Sequence, residues 1–252
     1  MRRGIVGLVL APLICCAFAM PSPAEDGLLF HALLDRSITA DRASGDPKPL
    51  VTQDVRLANS SVEIPRNAVL AYDAHANLYA EQGTLSFWWR PGEPPDPVGF
   101  PVFMSFYEQD STWGCNFLRI DWDGRRMVAR LRDRNLVSHS AEGPAERPLA
   151  GRWLHIAATW GESAGLSLYL DGKPAGRAPG PLAIDARLTF FGFLLRGTPP
   201  HWGGALSPGA IDEIRVYRAP LDAGDIARLA RRLNPRPAAA LWPSALAPTR
   251  SS

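Results

Sequence analysis

The chain has 252 residues, 46% of them hydrophobic, with 27 Lys and Arg against 25 Asp and Glu. That length fits one large all-β or α/β domain as readily as two small ones. The near-zero charge balance argues against the clustered basic excess that a nucleic-acid surface requires, Arg125, Arg126, Arg130, Arg132 and Arg134 being the exception, and Lys48 and Lys173 are the two lysines among otherwise arginine cations.

Met1 to Ala19 has the form of a secretory leader: Arg2 and Arg3 open it, Ile5 to Phe18 is largely apolar, and Ala17-Phe18-Ala19 is a small-x-small cleavage site. Ser22-Pro23-Ala24 is a second such site. The expected organisation is a signal peptide over 1–24, cleaved after Ala19 or Ala24, a sandwich domain over 25–233, and a Pro/Ala-rich flexible tail over 234–252. The apolar run falls short of the roughly 20 residues of a spanning helix, and Pro12 interrupts it. No membrane span is expected after processing, and the expected location is secreted, periplasmic or cell-surface. Cys15 and Cys16 fall in the leader, which leaves Cys115 alone and no internal disulfide. Pro12, Leu13 and Ile14 lack the small residue expected before a lipidated cysteine.

The body is a succession of short β-prone runs. Leu28 to Leu34 fits a buried strand. Thr84 to Arg90 alternates Leu85, Phe87 and Trp89 on one face against Ser86, Trp88 and Arg90 on the other. Pro101 to Glu108, Asn116 to Trp122 and Arg125 to Arg132 follow, the last two joined at Asp123-Gly124, where a type I′ hairpin turn is expected. Strands are expected at Trp153 to Trp160, at "LSLYL" before the second hairpin turn at Asp171-Gly172, at Arg187 to Leu195 and at Ala210 to Tyr217. One helix is expected over Ala223 to Leu233, capped by Asp222, with Asp225 in its first turn, Ile226, Leu229 and Leu233 as its apolar stripe, and Asn234-Pro235 as its stop.

Gly161, Ser163 and Gly165 match the G-x-S-x-G pattern of a serine nucleophile, but that role needs the serine between a strand and a helix. Here "LSLYLDG" follows, a strand, so the motif predicts a turn. Cys115 has no neighbour in sequence that would lower its pKa. His31, His75, His139, His155 and His201 are too scattered for a zinc site, and no tight acidic repeat suits glycosidase chemistry. "IDEI" at 211 to 214 is expected to put Asp212 and Glu213 on opposite faces.

Calcium needs only carboxylate and carbonyl oxygens. Asp35, Asp41 and Asp46 lie among turn residues, and Asp212 or Glu213 would approach them if the first and last strands pair, so Asp35, Asp41 and Asp212 are candidate ligands. Trp88, Trp89, Trp122, Trp153 and Trp160 are expected to pack on strands. Trp113 and Trp202 sit instead in glycine-flanked loops, where an indole either pins its loop or stacks on a sugar face. Arg125, Arg126, Arg130, Arg132 and Arg134 make either a solvated sheet face or a contact for an acidic polysaccharide.

"GTLSFWWRPG", "RWLHIAATWGESAGLSLYLDGKPAG" and "GAIDEIRVYRAPLDAGDIARL", in this order and spacing, resemble the glycine-threonine strand, the tryptophan strand with its hairpin, and the closing strand and helix of the laminin-G-like, concanavalin-A-like lectin superfamily. The opening "LLFHALLDRSITADRASGD" resembles the starts of secreted bacterial members. The resemblance covers most of residues 27 to 233 and implies an all-β, two-sheet antiparallel jelly-roll sandwich with one short C-terminal helix. Lectins, adhesion modules, appended sugar-binding modules, glycosidases and lyases share that fold. Many members bind calcium, which favours Asp35 and Asp212, and the Glu-x-Asp-x-x-Glu string of the glycosidase branches is missing here. The resulting expectation is a non-catalytic binding module for a carbohydrate or matrix-type ligand, with Trp113 and Trp202 as stacking platforms and Tyr107 and Asn116 as polar neighbours. Its partner would be a polysaccharide, a glycoconjugate or a cell-surface protein, and no organic cofactor is expected. The alternatives are an assembly module using a sheet face or edge, and a polysaccharide-degrading enzyme.

Overall fold

The computed structural model describes residues 27–65, 68–92, 100–107, 116–184, 187–193 and 209–232. The expected leader and tail, Cys115, Trp113, His201 and Trp202 lie outside the described residues. The strands are β1 (Leu28–Ala32), β2 (Arg42–Ala43), β3 (Pro49–Gln53), β4 (Arg56–Ala58), β5 (Ser61–Ile64), β6 (Val69–Asp73), β7 (Gln82–Pro91) and β8 (Phe100–Tyr107). They continue with β9 (Asn116–Trp122), β10 (Met127–Arg132), β11 (Ser138–Glu142), β12 (Leu154–Gly161), β13 (Gly165–Leu170), β14 (Lys173–Ala178), β15 (Leu188–Phe193) and β16 (Gly209–Tyr217), and helix α1 (Ala223–Arg232) closes the series.

Two antiparallel sheets result. One runs β14-β13-β12-β7-β16-β1-β2, with β5 paired to β16 and β4 to β5; the other runs β11-β10-β9-β8-β15-β6-β3. Among the described residues the expected all-β jelly-roll sandwich with one short helix is the observed fold. Alternation in the strands selects the inner faces. Leu85, Phe87 and Trp89 of β7, Ile156, Ala158 and Trp160 of β12, and Ile211, Ile214 and Val216 of β16 pack on Leu118, Ile120 and Trp122 of β9 and on Phe103, Phe191 and Phe193. Phe87 stacks on Phe103 between the sheets at 5.9 Å, and buried Trp160 donates its Nε1 proton to the Ala80 carbonyl at 3.0 Å.

The two Asp-Gly turns differ. Leu170 pairs with Lys173, so Asp171 and Gly172 form a two-residue loop, with φ of 48° and 74° as a type I′ turn requires. At Asp123-Gly124 the expected type I′ turn is not formed. Trp122 pairs with Met127 around a four-residue loop in which Gly124, at 89°, has the positive φ and Asp123 does not. Asp123 Oδ1 accepts the amides of Arg125 and Arg126 instead, so a side-chain turn replaces the backbone one.

The G-x-S-x-G segment is a turn, as expected. Gly161 pairs with Gly165, and Ser163 is exposed on the three-residue loop between them. Gly165 has φ +76°, and a Cβ there would lie 2.3 Å from the Ala178 carbonyl oxygen, so close backbone passage requires this glycine.

Strands β2 to β6 and β11 have no counterpart in the sequence reading. Their residues alternate weakly: β3 carries exposed Leu50 and Val51, β6 is buried from Val69 to Tyr72, and β11 buries Ala141 among polar neighbours. Partner strands decide such segments.

Helix α1 forms where expected. The Asp225 amide donates to Asp222 Oδ1 at 2.7 Å, a side-chain cap. Ile226 and Leu229 pack with Ala157 and Tyr217 on the outer face of the nine-stranded sheet. Leu233, the last residue of the expected stripe, lies outside the described residues.

Candidate functional site

The outer face of the nine-stranded sheet carries, beside α1, a buried polar cluster. Strand β16 pairs with β5 through Gly209 to Ile211 and with β1 through Ile214 to Tyr217, and its register to β7 slips between Asp212 and Arg215. The slip is a bulge in which Glu213 has φ +53°, and bulges re-aim side chains. Ile211 and Ile214 both face the core, so Asp212 and Glu213 share the outer face, contrary to the expectation that they would lie on opposite ones. The extra residue cancels the alternation on which that expectation rested.

Glu213 Oε2 lies 2.9 Å from His31 Nε2 and 2.5 Å from an Arg215 guanidinium nitrogen. Burial, then the neighbouring Glu213 and Asp35 charges, push the Asp212 carboxyl up to about 8. Ser86 Oγ lies 2.9 Å from His155 Nε2. Burial, then Arg215, pull the His155 imidazole down to about 4. Trp88 stands edge-on to His155 at 5.1 Å, and both Trp88 Nε1 and His155 Nδ1 are buried and find no hydrogen-bond partner among the described residues. Trp88 thus lies outside the core that its neighbour Trp89 enters, as the β7 alternation requires. Trp153 precedes β12 and carries the Arg90 guanidinium at 5.0 Å from its ring centroid.

The three candidate metal ligands are not arranged alike. Asp35 is close enough to Asp212 to raise its pKa, and β1 does pair with β16. Asp41 Oδ2 instead accepts the Leu33 amide at 2.8 Å. Among the described residues no three His, Cys, Asp or Glu side chains are grouped to hold a metal ion, so Asp35, Asp41 and Asp212 do not form a three-carboxylate site.

The seven-stranded sheet presents a different outer face. In its β9–β10 ladder Arg130 is opposite Arg119, and Val128 is opposite Asp121. Leu118, Ile120, Ala129 and Leu131 enter the core, so Arg119, Asp121, Arg130 and Arg132 point away from it. Asp121 Oδ1 takes Arg119 Nε at 3.0 Å and a second Arg119 nitrogen at 2.8 Å, while its Oδ2 is paired with Arg130. The Asp121 side chain is 3% exposed, that of Arg119 24% and that of Arg130 39%, so the carboxylate lies beneath two guanidiniums. Ser140 and Ser138 of β11 stand exposed opposite Arg130 and Arg132.

Of the five arginines singled out in sequence, Arg130 and Arg132 are on β10, Arg125 and Arg126 lie in the turn before it, and Arg134 follows it. Arg119 and Asp121 were missed, although "LRID" carries them at the alternation that places Leu118 and Ile120 inside. Tyr107 ends β8 and Asn116 begins β9, which brings both backbones to one rim. The 108–115 segment that carries Trp113 joins them there, by the start of β15, because Leu188 pairs with Tyr107. The segment that carries Trp202 leaves the far end of β15, where Phe193 pairs with Leu70. The two tryptophans therefore belong to segments attached at opposite ends of the sheet.

Two antiparallel sheets packed on a common core, with a short helix after the closing strand, define a jelly-roll β-sandwich. The chain belongs to the Laminin_G_3 family of the concanavalin A-like lectin/glucanases superfamily, whose model matches residues 60–227. No curated protein matches it in sequence. Its fold is similar to the binding domain of Paraclostridial Mosquitocidal Protein 1 (14% identity, TM-score 0.62, 83% of this chain and 53% of that one). It is similar as well to the binding domain of botulinum neurotoxin DC in complex with rat synaptotagmin II (12%, 0.64, 83% and 52%). A third is the botulinum neurotoxin serotype D ligand binding domain in complex with N-acetylneuraminic acid (13%, 0.66, 82% and 51%). At these identities the likeness is one of fold, and the chain spans about half the length of each.

Proposed function

We propose that the protein is an exported, non-catalytic module that binds a polysaccharide or glycoconjugate on the outer face of its seven-stranded sheet. The observation that carries this reading is on the outer face of the seven-stranded sheet, where Arg130 is partly exposed and Ser138 and Ser140 are exposed, whereas on the other sheet α1 packs over Ala157 and Tyr217. Trp113, the residue assigned to stacking on a sugar ring, lies between Tyr107 and Asn116 in sequence and outside the described residues. N-acetylneuraminic acid and rat synaptotagmin II, the molecules named in complex with two of the structural neighbours, of which this chain spans about half, are of the two classes considered for this chain. Exposed Ser163 on a strand-to-strand turn supports the non-catalytic reading. Screening the full chain on a glycan array, with Trp113→Ala and Trp202→Ala as variants, tests it; the absence of binding to any glycan would overturn it.

A specific observation favours a second reading, assembly with another protein. Among the described residues strand β3 is an edge with no charged residue, and its Leu50 (58%) and Val51 (48%) are exposed, a composition suited to strand addition. As to metal, Asp35 and Asp212 would take a calcium ion only with main-chain or water oxygens to complete its shell. Elemental analysis of the purified protein, and a melting temperature compared with and without chelator, test for it.

A further inference from the structure

The reading of the seven-stranded face as a glycan site can be taken further on the chemistry of that face, and the following rests on it. We propose that the ligand is an acidic polysaccharide, bearing carboxylate or sulfate groups, and that Arg130 is its principal anionic contact.

Two guanidiniums directly opposite on adjacent strands repel one another. Asp121 holds both, so its one carboxylate is shared between two guanidiniums. Because the carboxylate is buried at 3% exposure and Arg130 is 39% exposed, a ligand meets guanidinium before it meets carboxylate. Arg130 turns one terminal nitrogen to Asp121, and a guanidinium has five N–H donors in a planar fork that matches a carboxylate or a sulfate. The pairing with Asp121 restrains the side chain before any ligand arrives, which lowers the entropy lost on binding.

Along β10 the next outward residue is Arg132, about 7 Å from Arg130 at strand spacing. Ser140 and Ser138 are exposed across from this pair and offer hydroxyl donors and acceptors to sugar hydroxyls. Glu142 on β11 is neutralised by Arg126 at 2.9 Å. A linear polymer with repeating anionic groups therefore fits two arginines along β10 flanked by two hydroxyls on β11. The formal charge of +2 over the whole chain does not supply the extended basic surface that nucleic acid would need.

The test is titration calorimetry of the full chain with polygalacturonate, dextran sulfate, uncharged dextran, uncharged galactan and single-stranded DNA. Binding to polygalacturonate or to dextran sulfate is expected, and which of the two binds identifies carboxylate or sulfate as the recognised group. The affinity should fall about tenfold or more between about 0.05 and 0.5 M salt, as screening of exposed charges requires. Arg130→Gln should weaken binding by about tenfold, roughly one charge-assisted hydrogen-bonded contact, and Arg132→Gln, which leaves the Asp121 pairing intact, should act in the same direction. Arg177→Gln on β14, in the other sheet, should leave it unchanged. Neutral glycans bound with no effect of salt or of either variant would overturn the acidic ligand and leave the glycan-binding face standing. No polysaccharide bound at all would overturn the face itself. DNA bound as tightly as the acidic polymers would overturn the polysaccharide.

Discussion

Arg119 and Arg130 stand opposite one another on β9 and β10, and both reach the carboxylate of Asp121. A like-charged cross-strand pair is ordinarily destabilising, and here the buried Asp121 carboxylate lies between the two guanidiniums and accepts from both. The same three residues thus hold a strand pair together and point cationic groups outward.

Removal of the acid should cost more than removal of either base. Asp121→Ala leaves two guanidiniums facing each other and is expected to destabilise the protein by about 2 kcal/mol, whereas Arg130→Ala, half in solvent, should cost about 0.5–1 kcal/mol. Urea unfolding of the two variants and of the double variant checks this. The double variant should cost less than the sum, since its members share one interaction.

The Gly161 to Gly165 turn separates a structural motif from a catalytic one. Ser163→Ala should change stability by less than about 0.5 kcal/mol, as for other exposed loop positions. Gly165→Ala should cost about 2 kcal/mol or more, because φ is +76° and the added Cβ would strike the Ala178 carbonyl. Thermal melts of both variants measure the difference, and equal melting temperatures would remove the close-passage argument.

Acid should weaken the fold through His155. Its imidazole is pulled down to about 4 by burial and Arg215, from an ordinary value of 6.5. Above 6.5 it is neutral whether folded or unfolded and contributes no pH dependence. Between 6.5 and 4 the unfolded chain takes up a proton that the folded chain refuses, so stability falls as the pH falls, by about 3 kcal/mol at about 1.4 kcal/mol per unit. His155→Gln should lack this part of the acid limb. Denaturant unfolding of both proteins from pH 8 to 4 should show their stability difference shifting in favour of the variant as the pH falls.

The β3 edge gives the assembly reading its own test. Val51→Lys places a charge on an uncharged exposed edge and should abolish concentration-dependent self-association, if the wild type shows any, with little effect on the melting temperature. Analytical ultracentrifugation over a range of concentrations checks it. A wild type monomeric throughout would leave β3 without a homotypic role.

Much of the fold was legible because alternation is a local property. Leu85, Phe87 and Trp89 declare the inner face of β7, Asp171-Gly172 declares its hairpin, and Asp222 with Ile226 and Leu229 declares α1; each rests on a few neighbouring residues and a period of 2 or 3.6. What failed was non-local. The segments β3, β6 and β11 become strands because β6, β15, β3 and β10 lie beside them, and the Asp123-Gly124 turn took its form from the Asp123 carboxylate rather than from backbone preference.

The candidate site divides in the same way. Sequence alone determined that the chain makes a two-layer β-sandwich, that its G-x-S-x-G is a turn, and that arginines cluster near residue 130. Tertiary structure alone decided that Arg119 comes to face Arg130 over a shared Asp121, and that the bulge in β16 turns Asp212 and Glu213 to one face. It decided too that the Trp113 and Trp202 segments attach at opposite ends of a sheet. Register and bulges depend on which strand lies alongside, and strands distant in the chain become neighbours only when the two sheets close on a common core.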